Sequence, residues 1–260
     1  MTEATAGCTR KHARGCVRRA SGEIYGLADF PRDGAAAEFA AVRAANLALK
    51  PRSIPDVQAA ALPLSALTAW QALFEHAHLA AGQAVLIHGG AGGVGMMAVQ
   101  LARWRGARVL ATVSARDTAL VRSLGADDVI DYHATRFEDA LRDIDVVLDT
   151  IGGQTRERSW RVLRKGGVLV TLVSPIPADV AEQHGVRGVF FIVSGNRGQL
   201  DQITRLVDMG KLKPVLSEVL PLARAREAFE HGAAGHAPGK IVLQVTAIAC
   251  AMPNRLTRHW

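Results

Sequence analysis

A glycine-rich run between residues 85 and 95 carries the clearest chemical signal in the sequence. The segment Val85-Leu-Ile-His-Gly-Gly-Ala-Gly-Gly-Val-Gly95 leaves a strand-like stretch and enters a helix-like one. Its glycines fit the spacing G-x-G-x-x-G, which lets a backbone turn tightly and approach a diphosphate at a helix N-terminus. A purely structural glycine turn is the alternative, and the flanking strand and helix disfavour it. We predict that the cofactor contacts Gly90, Ala91, Gly92, Gly93, Val94 and Gly95.

The end of the next predicted strand indicates which dinucleotide the turn would hold. An NAD site usually has an acidic residue there, ~20 residues beyond the glycines. Here the strand end reads Thr112-Val-Ser-Ala-Arg116, so Ser114 and Arg116 offer a hydroxyl and a cation to a 2′-phosphate. Asp117 lies one step into the next helix, where a carboxylate is expected as a cap. NADPH is therefore the predicted cofactor, with NADH as the alternative.

Two more segments end predicted strands, Asp149-Thr-Ile-Gly-Gly153 and Leu172-Val-Ser174. Ligands of doubly wound sheets bind beyond the carboxyl ends of the strands. Thr150 and Leu172 are therefore predicted cofactor contacts. A simple turn remains an equal alternative for the two glycines of the first segment.

Short apolar strands alternate with helix-length segments from residue 84 onward. Parallel neighbours need a crossover, which is usually a helix, so the predicted class is α/β with a doubly wound parallel Rossmann sheet. The predicted strands are Ala84–His88, Ala107–Val113, Asp127–Asp131, Asp145–Asp149, Gly167–Val173 and Arg187–Val193. The predicted crossovers include Ala98–Arg105, Thr118–Leu124 and Arg136–Asp143.

The segments on both sides of this unit suggest a second domain built from both chain ends. Upstream, strand pieces are predicted at Glu23–Gly26 and Ala37–Val42, a linker at Pro51–Pro55 and a helix at Gln58–Leu73. Downstream, the predictions are helices at Leu200–Met209 and Ala223–His231 and a strand at Lys240–Val245.

The net charge of +7 is concentrated at the chain ends. Residues 1–20 carry +4 and residues 246–260 carry +2, which leaves about +1 between them. A nearly neutral body lacks the electrostatic footprint of a nucleic-acid binder, so that function is a weak alternative. No apolar run approaches the ~20 residues of a membrane span, and a cytoplasmic location is expected. The basic residues 1–20 leave an organelle transit peptide as the alternative.

The cysteines give no metal pattern. Cys8, Cys16 and Cys250 all lie in the terminal segments, and their spacing does not match a zinc site. We therefore predict neither a metal site nor a disulfide framework.

Five passages together resemble the zinc-independent quinone oxidoreductase branch of the medium-chain dehydrogenase/reductases. The passages are Glu23–Gly26, Ala60–Leu73, His88–Gly95, Leu124–Tyr132 and Gly239–Leu243. The resemblance covers about residues 21–245. It implies NADPH-dependent hydride transfer to a quinone or an α,β-unsaturated carbonyl, and a homodimer joined near Val189–Val193.

The resemblance also implies roles for individual residues. Thr68 would lie near the nicotinamide, Ser114, Arg116 and Tyr132 would surround the 2′-phosphate, and Phe190 and Phe191 would approach the nicotinamide ring. A half-buried strand-end aromatic is the alternative for Tyr132, and a sheet edge packed on a partner is the alternative for the two phenylalanines. The cofactor supplies the hydride, and no catalytic residue is nominated.

The same resemblance implies the domain boundaries. Residues 58–210 form the NADP-binding Rossmann domain, and residues 21–57 and 211–245 form an incomplete GroES-like β domain. Residues 1–20 are a poorly ordered lead and residues 246–260 a tail. Because most strands of the second domain are missing, a cofactor-binding remnant without catalysis, either a sensor or a gene fragment, is the second hypothesis beside an active reductase.

Overall fold

A computed structural model describes residues 24–27, 35–37, 40, 42–234 and 238–245. The predicted lead 1–20 and tail 246–260 lie outside the described residues. The strands are β1 Ile24–Gly26, β2 Leu47–Leu49, β3 Ala84–His88, β4 Arg108–Val113, β5 Asp128–Asp131, β6 Ile144–Asp149, β7 Leu163–Thr171, β8 Arg187–Phe190, β9 Leu216–Pro221 and β10 Lys240–Gln244. The helices are α1 Asp56–Ala59, α2 Pro63–Trp70, α3 Gly93–Arg105, α4 Thr118–Ser123, α5 Phe137–Ala140, α6 Gly153–Ser159, α7 Ala178–Gln183, α8 Arg197–Asp208 and α9 Ala225–Ala233.

The central sheet has six parallel strands in the order β5-β4-β3-β6-β7-β8. The chain builds outward from β3 to β5 and then returns to add β6 on the other side of β3. The strand order therefore reverses between β3 and β6, which opens a crevice at their carboxyl ends. This topology confirms the predicted doubly wound α/β class.

Helices cover both faces of this sheet. Along β3, Val85 and Ile87 pack into the cluster on one face, while Leu86 packs into the cluster on the other face. Side chains alternate between the faces of a strand, so a strand covered on both sides needs a continuous apolar run. This explains why the strands predicted from apolar runs lie close to the observed strands.

Two small sheets come from the parts of the chain that flank the Rossmann unit. β1 pairs antiparallel with β2, and β9 pairs parallel with β10. The Tyr25 hydroxyl of β1 donates to the Leu200 carbonyl of α8 at 3.0 Å. On the other side, the Gln100 side chain of α3 bonds both the amide and the carbonyl of Lys213, at 2.8 and 3.0 Å. Both flanking segments are thus fixed to the central unit.

The helical segment Asp56–His76 consists of α1, α2 and a following π-helical stretch. By length and composition alone it could cross a membrane, although no run of that length was expected from the sequence. The structure buries 72% of its apolar window, and α2 packs against α3 and α8. We interpret it as a core helix, because its apolar side chains already have partners inside the fold.

The predicted strand Ala37–Val42 lies partly outside the described residues. The described residues of Ala37–Val42 form no strand, and the partner of β1 is Leu47–Leu49 instead. The register places Ala48 opposite Tyr25, and both side chains are buried.

Candidate functional site

The glycine turn connects β3 to α3 at the carboxyl edge of the sheet. The Gly90 amide donates to the Thr112 carbonyl of β4 at 3.1 Å, and the Gly92 amide donates to the Gly89 carbonyl at 2.9 Å. The helix begins at Gly93, five residues before the predicted start. Helix geometry leaves the first amide groups of α3 without carbonyl partners in the helix, so they are available to an anion.

Steric contacts explain the positions of the glycines. A Cβ on Gly95 would lie 2.1 Å from the Gly89 carbonyl oxygen, and one on Gly90 would lie 2.9 Å from the Ala111 Cβ. Gly92 is exposed, and its Cβ would meet only the Gly89 oxygen, at 3.3 Å. Gly90 and Gly95 therefore permit close packing of the turn, whereas Gly92 leaves its outer side accessible to a ligand.

A segment that precedes β10 crosses the glycine turn. The Gly239 amide donates to the Ala91 carbonyl at 3.2 Å, and Gly239 forms an isolated bridge with Gly92. Gly239 has a φ of +94°, and a Cβ there would lie 2.4 Å from the Val215 carbonyl oxygen. Only glycine fits both conditions, so this residue fixes the path of the segment over the turn.

This crossing places Lys240 beside the N-terminus of α3. Its Cδ lies 2.7 Å from the position of a Gly93 Cβ, and the residue is only 7% exposed. Within the part of the chain that the structure describes, its ammonium group has neither a hydrogen bond nor an ion pair. A cation beside free helix amides suits a diphosphate. The sequence prediction did not include Lys240, although it lies in a passage that carried the family resemblance.

The predicted 2′-phosphate residues lie at the ends of β4 and β5. The Ser114 hydroxyl donates to the Asp117 carboxylate at 2.7 Å, and Arg116 Nε lies 3.6 Å from the same carboxylate. Tyr132 is exposed, and its amide donates to the Val113 carbonyl at 3.1 Å. The structure thus brings these four side chains to one corner of the sheet edge. Their contact with a cofactor stays a prediction.

Asp117 does not have the predicted capping role. It precedes α4, but its side chain makes no hydrogen bond with the amides of that helix. The nearby hydroxyl of Ser114 and the guanidinium of Arg116 bind the carboxylate instead.

Thr150 and Leu172 lie at the carboxyl ends of β6 and β7. The Thr150 hydroxyl donates to the His88 carbonyl at 2.8 Å and contacts the glycine turn at Gly89. Leu172 packs partly into the core, and its amide donates to the Asp149 carbonyl at 3.0 Å. Thr150 therefore joins β6 to the turn, while Leu172 lies one strand farther out.

The three residues expected near the nicotinamide are less closely grouped. Thr68 is buried on α2, where its hydroxyl donates to the Leu64 carbonyl at 2.6 Å. Phe190 ends the edge strand β8, and the Phe191 ring lies 4.3 Å from the ring of His76. Among the described residues, none of these three side chains forms a hydrogen bond with the glycine turn. Their roles stay predictions.

A buried polar group supports the turn from below. His88 is fully buried, with its Nδ1 3.0 Å from the Thr112 hydroxyl and its Nε2 2.9 Å from the Ser159 hydroxyl. Ser159 donates its proton to the Thr155 carbonyl at 2.7 Å, so it accepts from His88 Nε2. Thr112 then donates to Nδ1. The neutral imidazole thereby links β3, β4 and α6 directly beneath Gly89.

His88 should make the protein less stable in acid. Burial lowers the pKa of His88 from its ordinary 6.5 to about 4. Between these values the unfolded chain takes up a proton that the folded chain excludes, so stability falls as the pH falls. The full shift corresponds to about 3 kcal/mol. We expect urea unfolding at pH 6.8 and pH 4.5 to show a flatter pH dependence for His88→Asn than for the unsubstituted protein.

His231→Gln is the control for this measurement. The hydrogen bond that His231 donates to Glu218 raises the pKa of His231, so its contribution to stability is lost as the pH rises and does not weaken the protein in acid. This variant should not flatten the acid-side slope. An unchanged slope in His88→Asn would contradict the assignment to His88.

The family described as Zinc-binding dehydrogenase matches residues 124–243. The structure of the quinone oxidoreductase from Coxiella burnetii superimposes with a TM-score of 0.80 at 34% identity, over 86% of this chain and 72% of that chain. This chain belongs to the zinc-binding dehydrogenase family. The membership in the medium-chain dehydrogenase/reductases predicted from the sequence is confirmed.

Two longer proteins are also similar to this chain. NAD(P)H oxidoreductase RTN4IP1, mitochondrial, of Homo sapiens is 38% identical over 86% of this chain and 64% of its own length. NADPH-dependent alkenal/one oxidoreductase, chloroplastic, of Arabidopsis thaliana is 37% identical over 81% of this chain and 53% of its own length. The chain therefore spans less than two thirds of these relatives.

The name of the zinc-binding dehydrogenase family directs attention to possible metal ligands. Among the described residues, ligand atoms of Glu218, Glu227 and His231 lie within 4.8 Å of one another. His231 Nδ1 lies 2.9 Å from Glu218, and Arg224 Nε donates to Glu227 at 2.6 Å. These groups form surface ion pairs with one another and with Arg224. The three cysteines lie outside the described residues.

Proposed function

We propose that this protein is a zinc-independent, NADPH-dependent reductase that transfers hydride to a quinone or an α,β-unsaturated carbonyl. The observation that carries the proposal is the glycine turn, with Lys240 beside it and Ser114 and Arg116 at the neighbouring strand end. The names of the relatives, an alkenal/one reductase and a quinone oxidoreductase, support the substrate class.

The residues present fit the proposed cofactor. Gly92 leaves the outer side of the turn accessible, and the α3 amides and Lys240 offer donors and a positive charge to the diphosphate. Arg116 and Ser114 offer a cation and a hydroxyl to the 2′-phosphate. NADPH, when bound, supplies the hydride. The protein contributes binding and orientation, and we assign proton delivery to no side chain.

The proposal extends to a homodimer formed along the edge strand β8. Among the described residues this strand pairs with β7 alone, and Ile192 just beyond it is 70% exposed. An unpaired edge with exposed apolar side chains favours pairing with a second copy. Sedimentation velocity at micromolar concentration tests the proposed homodimer. A monomer in that measurement would overturn it.

The decisive experiment combines binding with turnover. Purified protein is titrated with NADPH by fluorescence, and oxidation with 9,10-phenanthrenequinone is followed at the nicotinamide absorbance band. Oxidation above the protein-free rate supports a reductase. Tight binding without oxidation supports the second hypothesis, a cofactor-binding remnant, and absence of binding overturns both.

Arg116→Ala should separate the two nicotinamide cofactors. Only NADPH carries the 2′-phosphate, so its Kd should rise roughly 10- to 100-fold, the range of a lost charged hydrogen bond. The Kd for NADH should stay within about twofold. Fluorescence titration of both cofactors measures the difference.

Arg108→Ala is the matched control. Arg108 begins β4, the same strand that Arg116 follows, and pairs with Asp128 at 2.7 Å at the opposite edge of the sheet. Its loss removes an equal charge far from the glycine turn and should leave both Kd values unchanged. Equal weakening of NADPH and NADH in Arg116→Ala would contradict the assignment of that residue.

A further inference from the structure

The Asp117 carboxylate occupies the corner that the proposed function assigns to the 2′-phosphate. Its side chain is only 13% exposed. It accepts a hydrogen bond from Ser114 at 2.7 Å and lies 3.6 Å from Arg116 Nε, and it does not cap α4. Both of its partners are the donors expected to bind phosphate. The corner therefore contains a built-in anion as well as the two donors.

This arrangement treats the two cofactors differently. A 2′-phosphate must take the Ser114 hydroxyl from Asp117 and then lie close to a fixed negative charge, which is unfavourable. The 2′-hydroxyl of NADH has no such charge and can donate to a carboxylate. From this geometry we infer that Asp117 is a specificity-determining residue that lowers the preference for NADPH, so that the corner accepts both cofactors. The inference rests on the proposed function.

A merely structural role for Asp117 makes a different prediction. If the carboxylate only braces the turn between β4 and α4, its removal disturbs the whole adenosine site and weakens both cofactors alike. If it repels the phosphate, its removal strengthens NADPH and weakens NADH. The ratio of the two Kd values distinguishes these roles, whereas either Kd alone does not.

Asp117→Asn removes the charge and keeps the shape of the side chain. We expect the ratio of the NADH Kd to the NADPH Kd to rise about tenfold, the size expected for one partly screened charge at contact distance. The rise should shrink only modestly as the salt concentration increases from 0.05 to 0.5 M, because salt screens a 13% exposed carboxylate less than a fully exposed one. Fluorescence titrations of both cofactors at the two salt concentrations give the four values needed.

Asp128→Asn is the matched control, since Asp128 pairs with Arg108 at the opposite edge of the sheet. It should leave the ratio unchanged. If both cofactors bind and Asp117→Asn leaves the ratio unchanged or weakens both equally, the inference is overturned while the proposed function stands. If the unsubstituted protein binds neither cofactor, the proposed function fails and the inference fails with it.

Discussion

Gly95→Ala is expected to destabilise the protein by at least about 3 kcal/mol, at the upper end of overpacking costs. The added Cβ would lie 2.1 Å from the Gly89 carbonyl oxygen and 2.9 Å from the Gly89 carbonyl carbon and the Gly90 Cα. These are backbone atoms, which cannot rotate away as a flexible side chain can. Relief requires α3 to move away from β3, but the following residues Met96 and Met97 are buried in the core. For a domain of this size the cost corresponds to a Tm decrease of about 6–12 °C.

Gly92→Ala is the matched control, because the same methyl group meets only one atom, at 3.3 Å. The φ of Gly92 is −75°, which alanine adopts freely. We expect its stability to fall by only about 1 kcal/mol, the cost of an alanine at a helix N-cap, where glycine is preferred. Its cofactor affinity should nevertheless fall, because the methyl group covers the outer side of the turn. Equal stability of the two variants in urea unfolding would contradict this account of Gly95.

Local sequence predicted the sheet well. The six strands of the sheet begin and end within a few residues of their predicted positions, because both faces of the sheet are buried and each strand needs a continuous apolar run. The glycine spacing predicted the turn for a similar reason. Gly90 and Gly95 are required by contacts with residues close in sequence or on the next strand.

Contacts between distant segments were beyond local prediction. Lys240 reaches the turn only because Gly239 bridges to Gly92, almost 150 residues earlier in the chain. Asp117 looked like a helix cap because its position before α4 is typical of one. Its true partners depend on side-chain directions that a sequence pattern does not encode. The helix α6 was missed because it begins in a turn formed by two glycines with positive φ.

Cofactor binding and turnover place different demands on the chain. The described chain contains the complete six-stranded sheet and the glycine turn, so binding of a dinucleotide depends on parts that are present. The chain spans 64% of the human relative and 53% of the Arabidopsis relative. Binding and turnover are therefore separate questions, and cofactor binding is the sharper test of the site.

Lys240→Met is the second substitution with a large expected effect. The diphosphate is common to NADPH and NADH, so both Kd values should rise by a similar factor, roughly 10- to 100-fold for a lost charged contact. This pattern differs from Arg116→Ala, which should affect NADPH alone. Lys240→Arg keeps the positive charge and should recover most of the affinity.

The stability of the same variant should change little. Most of the Lys240 side chain is buried, and its ammonium group has no ion pair within the described chain. Methionine has similar length and keeps the packing of the lysine's methylene groups, so Lys240→Met should resist urea about as well as the unsubstituted protein. Lys213→Met is the control, because Lys213 is an exposed lysine shortly before β9 that is held through its backbone by Gln100. If Lys240→Met binds both cofactors within about twofold of the unsubstituted protein, Lys240 does not belong to the diphosphate site. Weaker binding combined with equal or greater stability is expected only if the lysine serves the ligand rather than the fold.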